Sequence, residues 1–214
     1  MALDVTHLRF ALDVRDDYDV ADLSRYISGA IYPDTRYVTG VDRALTHPKD
    51  FDDIPLPKRD DFRKGWETHL VYDDLQAEVF TSVTGVPADS VRPASEEWKR
   101  ITAFKILQAE YDFRSLDVDM ASGALKVVLT PFGESEIIVG RAFEYVRAFL
   151  HGRHGEIRVR SLPLFRLRGE DSGMFEMADE LQVRCDAIRK DGMLMTWIAG
   201  VYDETMRMYH NRYR

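Results

Sequence analysis

Two residues with metal-binding side chains lie four positions apart in the stretch Trp66 to Phe80. Apolar residues recur there at roughly helical spacing, and no glycine or proline interrupts the run. His69 and Asp73 therefore project from the same side of a predicted helix, about one turn apart. An imidazole and a carboxylate so placed can both reach one zinc ion at about 2 Å. Surface or capping pairs often share this spacing, so the pair indicates a metal site only in combination with further ligands.

Three further donors of the same kinds precede this helix. His7 lies in a short apolar segment that we predict to be the opening helix. Asp34 follows Pro33 in Gly-Ala-Ile-Tyr-Pro-Asp, where glycine permits a turn and proline prevents the helix from continuing. His47 stands in a polar loop, just before Pro48. From local sequence alone Asp34 is equally a turn residue, but the first third of the chain now offers three imidazoles and two carboxylates.

The order of these residues resembles the zinc-dependent phospholipase C and single-strand nuclease superfamily. The resemblance covers roughly residues 7 to 80. It consists of an early histidine, a Gly-Ala-Ile-x-Pro-Asp segment after a helix, an isolated histidine in the next loop, and a Gly-Trp-x-x-His-x-x-x-Asp helix. In that family an all-helical domain holds a zinc cluster in a cleft. The resemblance implies that one zinc is bound by Asp34, His47, His69 and Asp73, and that Asp73 bridges to a second zinc near His7.

The implied activity is hydrolysis of a phosphate ester, either a phosphodiester or a phosphomonoester, with a metal-bound hydroxide as nucleophile. Asp73 would act as the bridging carboxylate, and either Asp34 or an acid outside the ligand set would orient the hydroxide. Two departures from the family concern the number of metals. Met1 lies six residues before His7, whereas the mature N-terminus is itself a ligand in secreted family members. No matching histidine follows soon after Asp73, and Glu78 is the nearest substitute. We therefore expect one or two divalent ions, zinc in the first place, rather than three.

The remaining sequence predicts an all-α fold, a multi-helix bundle that forms a single domain over residues 1–214 and resembles the phospholipase C and nuclease fold. Amphipathic or helical patterns extend over four further segments, Trp98 to Phe113, Glu136 to Leu150, Met174 to Ile188 and Met193 to Tyr209. Residues 118–132 are compatible with either a short strand or a helical turn. An earlier helix, capped by Asp19 or Asp22, is expected to stop at Gly29.

Composition limits the classes of partner and the kinds of metal ligand. The formal charge of −8 argues against general nucleic-acid binding, and the small phosphorylated substrate that we expect is what the resemblance implies. No stretch is long enough to span a bilayer and no leader segment is evident, which predicts a cytoplasmic protein. Cys185 is the only cysteine, which excludes an intrachain disulfide and leaves histidine and carboxylates as ligands. The oligomeric state is left open.

Two alternatives remain at this stage. The first is a helical metal-binding protein that keeps the ligands for structure or partner binding without turnover, which the missing ligands for a third metal favour. The second is a nucleotide phosphohydrolase of the His-Asp type, which ranks low because none of the six histidines is followed by aspartate. The other histidines, His151, His154 and His210, fall in a glycine-rich turn and in the C-terminal tail, where we expect solvated side chains.

Overall fold

Capping residues and chain breaks determine where the helices of this protein begin and end. The computed structural model describes residues 4–87, 91–152, 156–168 and 173–214, and every regular element within those ranges is helical. The α-helices are α1 (Asp4–Val14), α2 (Leu23–Ile31), α3 (Arg36–Thr39), α4 (Arg43–Thr46), α5 (Asp61–Thr84), α6 (Glu96–Ser115), α7 (Val118–Ala124), α8 (Glu136–Leu150), α9 (Pro163–Arg168), α10 (Met174–Ile188) and α11 (Gly192–Tyr213). Short 3₁₀ turns occupy Arg15–Tyr18, Tyr32–Thr35, Phe51–Asp53 and Val159–Ser161. The all-α prediction is thus confirmed for the described ranges.

Most of the predicted helices are present, and the differences have local causes. α5 extends the predicted 66–80 helix at both ends, from its N-cap Asp60 to Gly85, which has a positive φ of 67°. Residues 118–132 form no strand: α7 ends at Ala124, and the chain then runs without regular structure to α8. None of the helices in the described ranges is long and apolar enough to cross a membrane.

The prediction that α2 stops at Gly29 is wrong. Asp22 caps the helix as expected, because its carboxylate accepts hydrogen bonds from the Ser24 and Arg25 amides. The helix then continues through Gly29 to Ile31, and a 3₁₀ turn containing Asp34 follows directly. Gly29 therefore does not end the helix. A glycine is found at this position because α2 packs closely against another helix there.

Helices α2 and α5 cross in direct backbone contact at two glycines. A Cβ atom added at Gly29 would lie 1.9 Å from the Phe62 carbonyl oxygen, and one added at Gly65 would lie 1.9 Å from the Tyr26 carbonyl oxygen. Both distances are far below van der Waals contact, so only glycine allows this approach. The crossing also brings the end of α2 beside the middle of α5, where His69 is located.

Helix α5 lies at the centre of the molecule, with α1, α2 and α11 packed against it. The largest hydrophobic cluster involves α1, α2, α6, α8, α10 and α11 and the C-terminal part of α5. Smaller clusters form around Tyr72 and around Trp66. The helices pack as one body, so the middle of α5 is enclosed by neighbours on several sides. The assignment of residues 1–214 to a single domain stays a prediction.

Candidate metal centre

The five side chains predicted as metal ligands meet at the middle of α5. His69 and Asp73 lie on α5 itself and His7 on α1. Asp34 lies in the 3₁₀ turn after α2, and His47 directly follows α4 as its C-cap. Two groups of donor atoms form there, His7 with Asp34 and His69, and His47 with His69 and Asp73. Within each group the atoms all lie within 4.8 Å of one another. Segments far apart in sequence thus converge on one buried location.

Local hydrogen bonds hold two of the imidazoles in orientations suited to ligands. His69 Nδ1 lies 2.8 Å from the Ala30 carbonyl oxygen, which can only accept, so Nδ1 carries the proton and Nε2 has a free lone pair. Such a bond from the second ring nitrogen is the usual support of a metal-bound histidine. His47 Nδ1 is similarly bonded to the Thr46 hydroxyl at 2.9 Å. The Trp66 indole donates to the Thr46 carbonyl at 2.8 Å, which fixes the turn that presents His47 to α5.

The Asp73 carboxylate faces three histidines with its two oxygens. Oδ1 lies 3.6 Å from His7 Nε2, while Oδ2 lies 3.5 Å from His47 Nε2 and 3.8 Å from His69 Nε2. These separations exceed the range of an N–H···O hydrogen bond. They are close to the roughly 3.4 Å that separates two ligands in a tetrahedral site with bonds of about 2.1 Å. The arrangement therefore suits ligands of shared cations better than a hydrogen-bonded cluster.

The grouping of the donors differs in detail from the one implied by the resemblance. His69 belongs to both groups, but its single free nitrogen can bind only one ion. His7, Asp34 and the Oδ1 side of Asp73 would then be the donors available to a second ion. Asp34 is grouped with His7 and His69 rather than with His47. The two oxygens of Asp73 remain the natural bridge between the two positions.

Several of these donors are buried and lack a hydrogen-bond partner among the described residues. The atoms are His7 Nδ1, His7 Nε2, His69 Nε2, Asp34 Oδ1 and Asp73 Oδ1. A buried polar atom without a partner costs about 1–3 kcal/mol, and such atoms are rare in native proteins. Here they gather at one place and belong to the residue types that bind transition metals. The residues present thus fit one or two divalent cations.

Burial and mutual contact set the protonation of the cluster. Burial lowers the pKa of His7 well below its ordinary value, and the adjacent His69 ring, stacked with its centroid 3.7 Å away, lowers it further. Burial also lowers the pKa of His69, although Asp34 and Asp73 oppose this. For Asp73 burial would raise the pKa, but the His47, His69 and His7 side chains outweigh it and hold the pKa well below its usual range. Neutral imidazoles and an ionised carboxylate are the forms that bind metal.

One carboxyl near the cluster was not identified from the sequence. Asp4, in the first turn of α1, lines a cavity of about 50 Å³ together with Asp34, Thr35 and Tyr37. Burial, reinforced by the charge of Asp34, raises the pKa of the Asp4 carboxyl to about 7. Nothing in the sequence distinguished Asp4 from an ordinary acidic residue in the first turn of a helix.

The remaining donors considered in the sequence lie elsewhere. Glu78 is on the protein surface, where both its oxygens accept hydrogen bonds from Arg212 at 2.7 and 2.6 Å. His151 pairs with the Ser122 hydroxyl at 2.8 Å, and His210 packs its ring against Tyr209. His154 lies outside the described residues. Within the ranges that the structure describes, the two groups around His69 are the only sets of three donors close enough for an ion.

A second buried polar network lies on the side of Tyr72. The Tyr72 hydroxyl accepts from Gln108 at 2.7 Å and from Gln76 at 3.2 Å. Gln108 also donates to Asp112 at 3.2 Å, and Asp112 accepts from the Arg9 guanidinium at 2.8 Å. The Tyr72 ring in turn contacts the His7 ring edge-to-face, with centroids 5.4 Å apart. The positive charge in this part of the interior is thus the guanidinium of Arg9 and not a metal ion.

A groove opens beside the cluster and reaches two of its residues. It has a volume of about 700 Å³, and His47 and Asp73 form part of its lining. Basic residues of the same lining are Arg43, Lys49 and Lys105, and Trp98 and Ile101 contribute an apolar wall. The sequence predicted an amphipathic helix over Trp98 to Phe113 but no groove along it. A periodic pattern does not distinguish a face that packs from one that lines a groove.

Comparison with known protein families, with curated proteins and with solved structures finds no match for this chain. The resemblance to the phospholipase C and nuclease superfamily therefore stays a prediction. The structure itself gives an all-α protein with buried groups of histidine and aspartate that could hold a metal ion.

Proposed function

We propose that this protein is a divalent-metal-dependent hydrolase of phosphate esters, with His7, Asp34, His47, His69 and Asp73 as its ligands. The observation that carries the proposal is the gathering of unpartnered buried donors around Asp73, at separations typical of metal ligands. Bound zinc would lower the pKa of a water molecule and neutralise charge that develops on a phosphoryl group. The assignment to phosphate esters comes from the sequence pattern over residues 7 to 80.

The groove favours a reactive centre over a purely structural one. Structural zinc sites are closed by four protein ligands, whereas catalytic sites leave a position open to water or substrate. His47 and Asp73 belong both to the cluster and to the lining of the groove, so a small molecule can approach the cluster from that side. In this proposal Asp73 would contribute to holding the cations, and Asp34 would orient the attacking water.

A metal-binding protein without turnover is the second candidate. The observation that favours it is the lack, among the described residues, of donors for a third cation. Both candidates require the same ligands, so they differ only in chemistry and not in metal content.

Two measurements on protein purified without a polyhistidine tag test these proposals. Elemental analysis should find one or two equivalents of zinc, manganese or iron, and failure to take up metal after reconstitution would exclude both candidates. Hydrolysis of 4-nitrophenyl phosphate and bis(4-nitrophenyl) phosphate should then be measured with and without chelator. Metal-dependent turnover that disappears in His69→Ala supports the hydrolase. Stoichiometric metal without any turnover of either ester supports the binding protein.

A further inference from the structure

One face of α6 forms a wall of the groove beside the metal ligands. Trp98, Ile101, Thr102 and Lys105 occupy positions i, i+3, i+4 and i+7 of this helix, and all four line the groove. Trp98, Ile101 and Lys105 are only half-buried. This helix face therefore presents an aromatic ring, an aliphatic side chain and an ammonium group in sequence along one surface.

Lys105 differs from the other lysine of α6 in its electrostatic environment. Lys99 points elsewhere and forms ion pairs with Glu180 and Glu96. Lys105 has no carboxylate partner among the described residues, and its Nζ lies 5.9 Å from the centroid of the Phe80 ring. Lys105 lines the same groove as His47 and Asp73. An unpaired, half-buried ammonium near a proposed phosphoryl-transfer site suits an anionic ligand.

The other charged side chains that line the groove, among the described residues, are of both signs. Arg43 and Lys49 add two exposed cations, and neither has an ion-pair partner in the described ranges. The acidic side chains of the lining are Asp73, which belongs to the metal ligands, and Asp74. Three basic groups thus face two acidic ones in a protein of net charge −8, before any metal ion adds positive charge. The groove is electrostatically distinct from the molecule as a whole.

The size and charge of the molecule limit what this groove accepts. Its volume of about 700 Å³ lies in the range typical of sites for single small molecules, roughly 300–1,000 Å³. Nucleic acids and anionic membrane surfaces would be repelled by the net charge of −8. The combination of an apolar wall with local positive charge therefore favours a small amphipathic anion over a polymer or a bilayer.

We propose that the groove binds a small phosphate ester that carries an aromatic group, and that Trp98 and Lys105 determine this specificity. The phosphoryl group lies near His47 and Asp73 and pairs with Lys105, while the aromatic group packs against Trp98 and Ile101. This inference rests on the proposed function for the role of the phosphoryl group. It goes beyond it by naming the substrate class and two residues that are not metal ligands.

Binding of two non-hydrolysable phosphonates tests the inference without requiring turnover. Phenylphosphonate and methylphosphonate present the same phosphoryl-like group, and differ only in the apolar part. Their affinities for the zinc-loaded protein of residues 1–214 are measured by isothermal titration calorimetry. We expect phenylphosphonate to bind about tenfold more tightly, because an aromatic stacking contact typically changes affinity by a factor between about 5 and 150. Equal affinities would overturn the proposal.

Variants of α6 separate the two contributions. Trp98→Ala should reduce the preference for phenylphosphonate to near unity and leave methylphosphonate affinity within about twofold of wild type. Lys105→Met should weaken both ligands about tenfold, since a charge-assisted contact is lost in each case. Lys99→Met, a matched change on the same helix, should alter neither affinity. Circular dichroism and zinc content of each variant show that it is folded and metal-loaded.

The outcomes distinguish this inference from the proposed function. Selective phenylphosphonate binding that depends on Trp98 and Lys105, without hydrolysis of phenyl phosphate, would support the groove assignment and contradict the hydrolase. Metal-dependent hydrolysis of phenyl and methyl phosphates at equal kcat/KM would support the hydrolase and overturn the groove assignment. An effect of Lys99→Met equal to that of Lys105→Met would show that only overall charge matters, which also overturns it.

Discussion

Asp73 is the residue on which the proposed metal centre depends most. Its Oδ1 faces His7 and its Oδ2 faces His47 and His69, so one side chain borders both possible ion positions. The histidines, in contrast, each offer one nitrogen to one ion. Loss of the Asp73 charge should therefore affect every bound cation, whereas loss of a single histidine should affect one.

The change Asp73→Asn should abolish metal-dependent stabilisation. A cation that binds only the folded state adds about 2.7 kcal/mol to the free energy of unfolding at a concentration 100 times its Kd. Wild-type protein should therefore melt at a higher temperature in zinc than in chelator, and the variant should show no such difference. Asp74→Asn, at the exposed neighbouring position, serves as control and should keep the zinc-dependent shift. A melting temperature lowered equally in zinc and in chelator would instead indicate a structural hydrogen bond.

Asp112 provides a pH-dependent prediction away from the metal ligands. Burial raises the pKa of its carboxyl to about 6, and the Arg9 guanidinium only partly offsets this. The ordinary pKa of this carboxyl is 3.8. Between about pH 4 and pH 6 the carboxyl is therefore protonated in the folded state and ionised in the unfolded state. The free energy of unfolding contributed by Asp112 therefore falls as pH rises from about 4 to 6, by roughly 3 kcal/mol at 1.36 kcal/mol per pKa unit.

Asp112→Asn removes this titration and should change the pH dependence accordingly. Relative to wild type, the variant should gain about 3 kcal/mol between pH 4 and pH 7. Urea unfolding of metal-free protein at the two pH values measures the difference. A relative loss over that interval would show that the ion pair with Arg9 outweighs burial.

At the scale of elements, the crossing of α2 and α5 determines whether the ligands meet. The Ala30 carbonyl at the end of α2 orients His69, and Asp34 follows in the next turn. The positions of this carbonyl and of Asp34 depend on the close contact between the two helix backbones that Gly29 and Gly65 allow. The same crossing thus serves packing and the arrangement of the site.

Gly65→Ala should be strongly destabilising, because its Cβ would lie 1.9 Å from a backbone oxygen that cannot move without separating the helices. Overpacking of this kind costs about 3 kcal/mol or more. Gly200→Ala is the matched control, since Gly200 is helical, exposed and has no neighbour within 4 Å of an added Cβ. It should be neutral or stabilising by up to about 1 kcal/mol. Equal unfolding midpoints in urea for the two variants would contradict this account of the crossing.

At the scale of the whole molecule, the number of cations follows from where the donors lie. The described residues offer two overlapping groups that share His69, and Glu78 and His151 have other partners at the surface. The interior near Tyr72 holds the Arg9 guanidinium next to Asp112. We therefore expect one or two bound cations and not three.

Titration of zinc into metal-free protein should saturate at one or two equivalents. The double change His151→Ala with His154→Ala should leave this stoichiometry unchanged. A third equivalent that disappears in the double variant would show that the glycine-rich segment after α8 takes part in metal binding.

The sequence by itself determined the fold class and the candidate ligands. Helical periodicity located most of α5, α6, α8, α10 and α11, because the spacing of apolar residues directly reflects which face of a helix is buried. The types and spacing of His69 and Asp73 indicated a shared metal site, because the backbone of one helix fixes their separation. The order of His7, Asp34 and His47 along the chain extended this prediction to a cluster of five ligands.

Only the tertiary structure decided which donors come together and what lies around them. Local sequence cannot show that Gly29 allows a helix crossing rather than ending a helix, because the atoms that require glycine are the carbonyls of Phe62 and Tyr26. Nor can it show that Lys99 pairs with Glu180 of α10 as well as with Glu96 of its own helix, while Lys105 has no carboxylate partner among the described residues. Distances between segments remote in sequence depend on packing, and no local pattern encodes them.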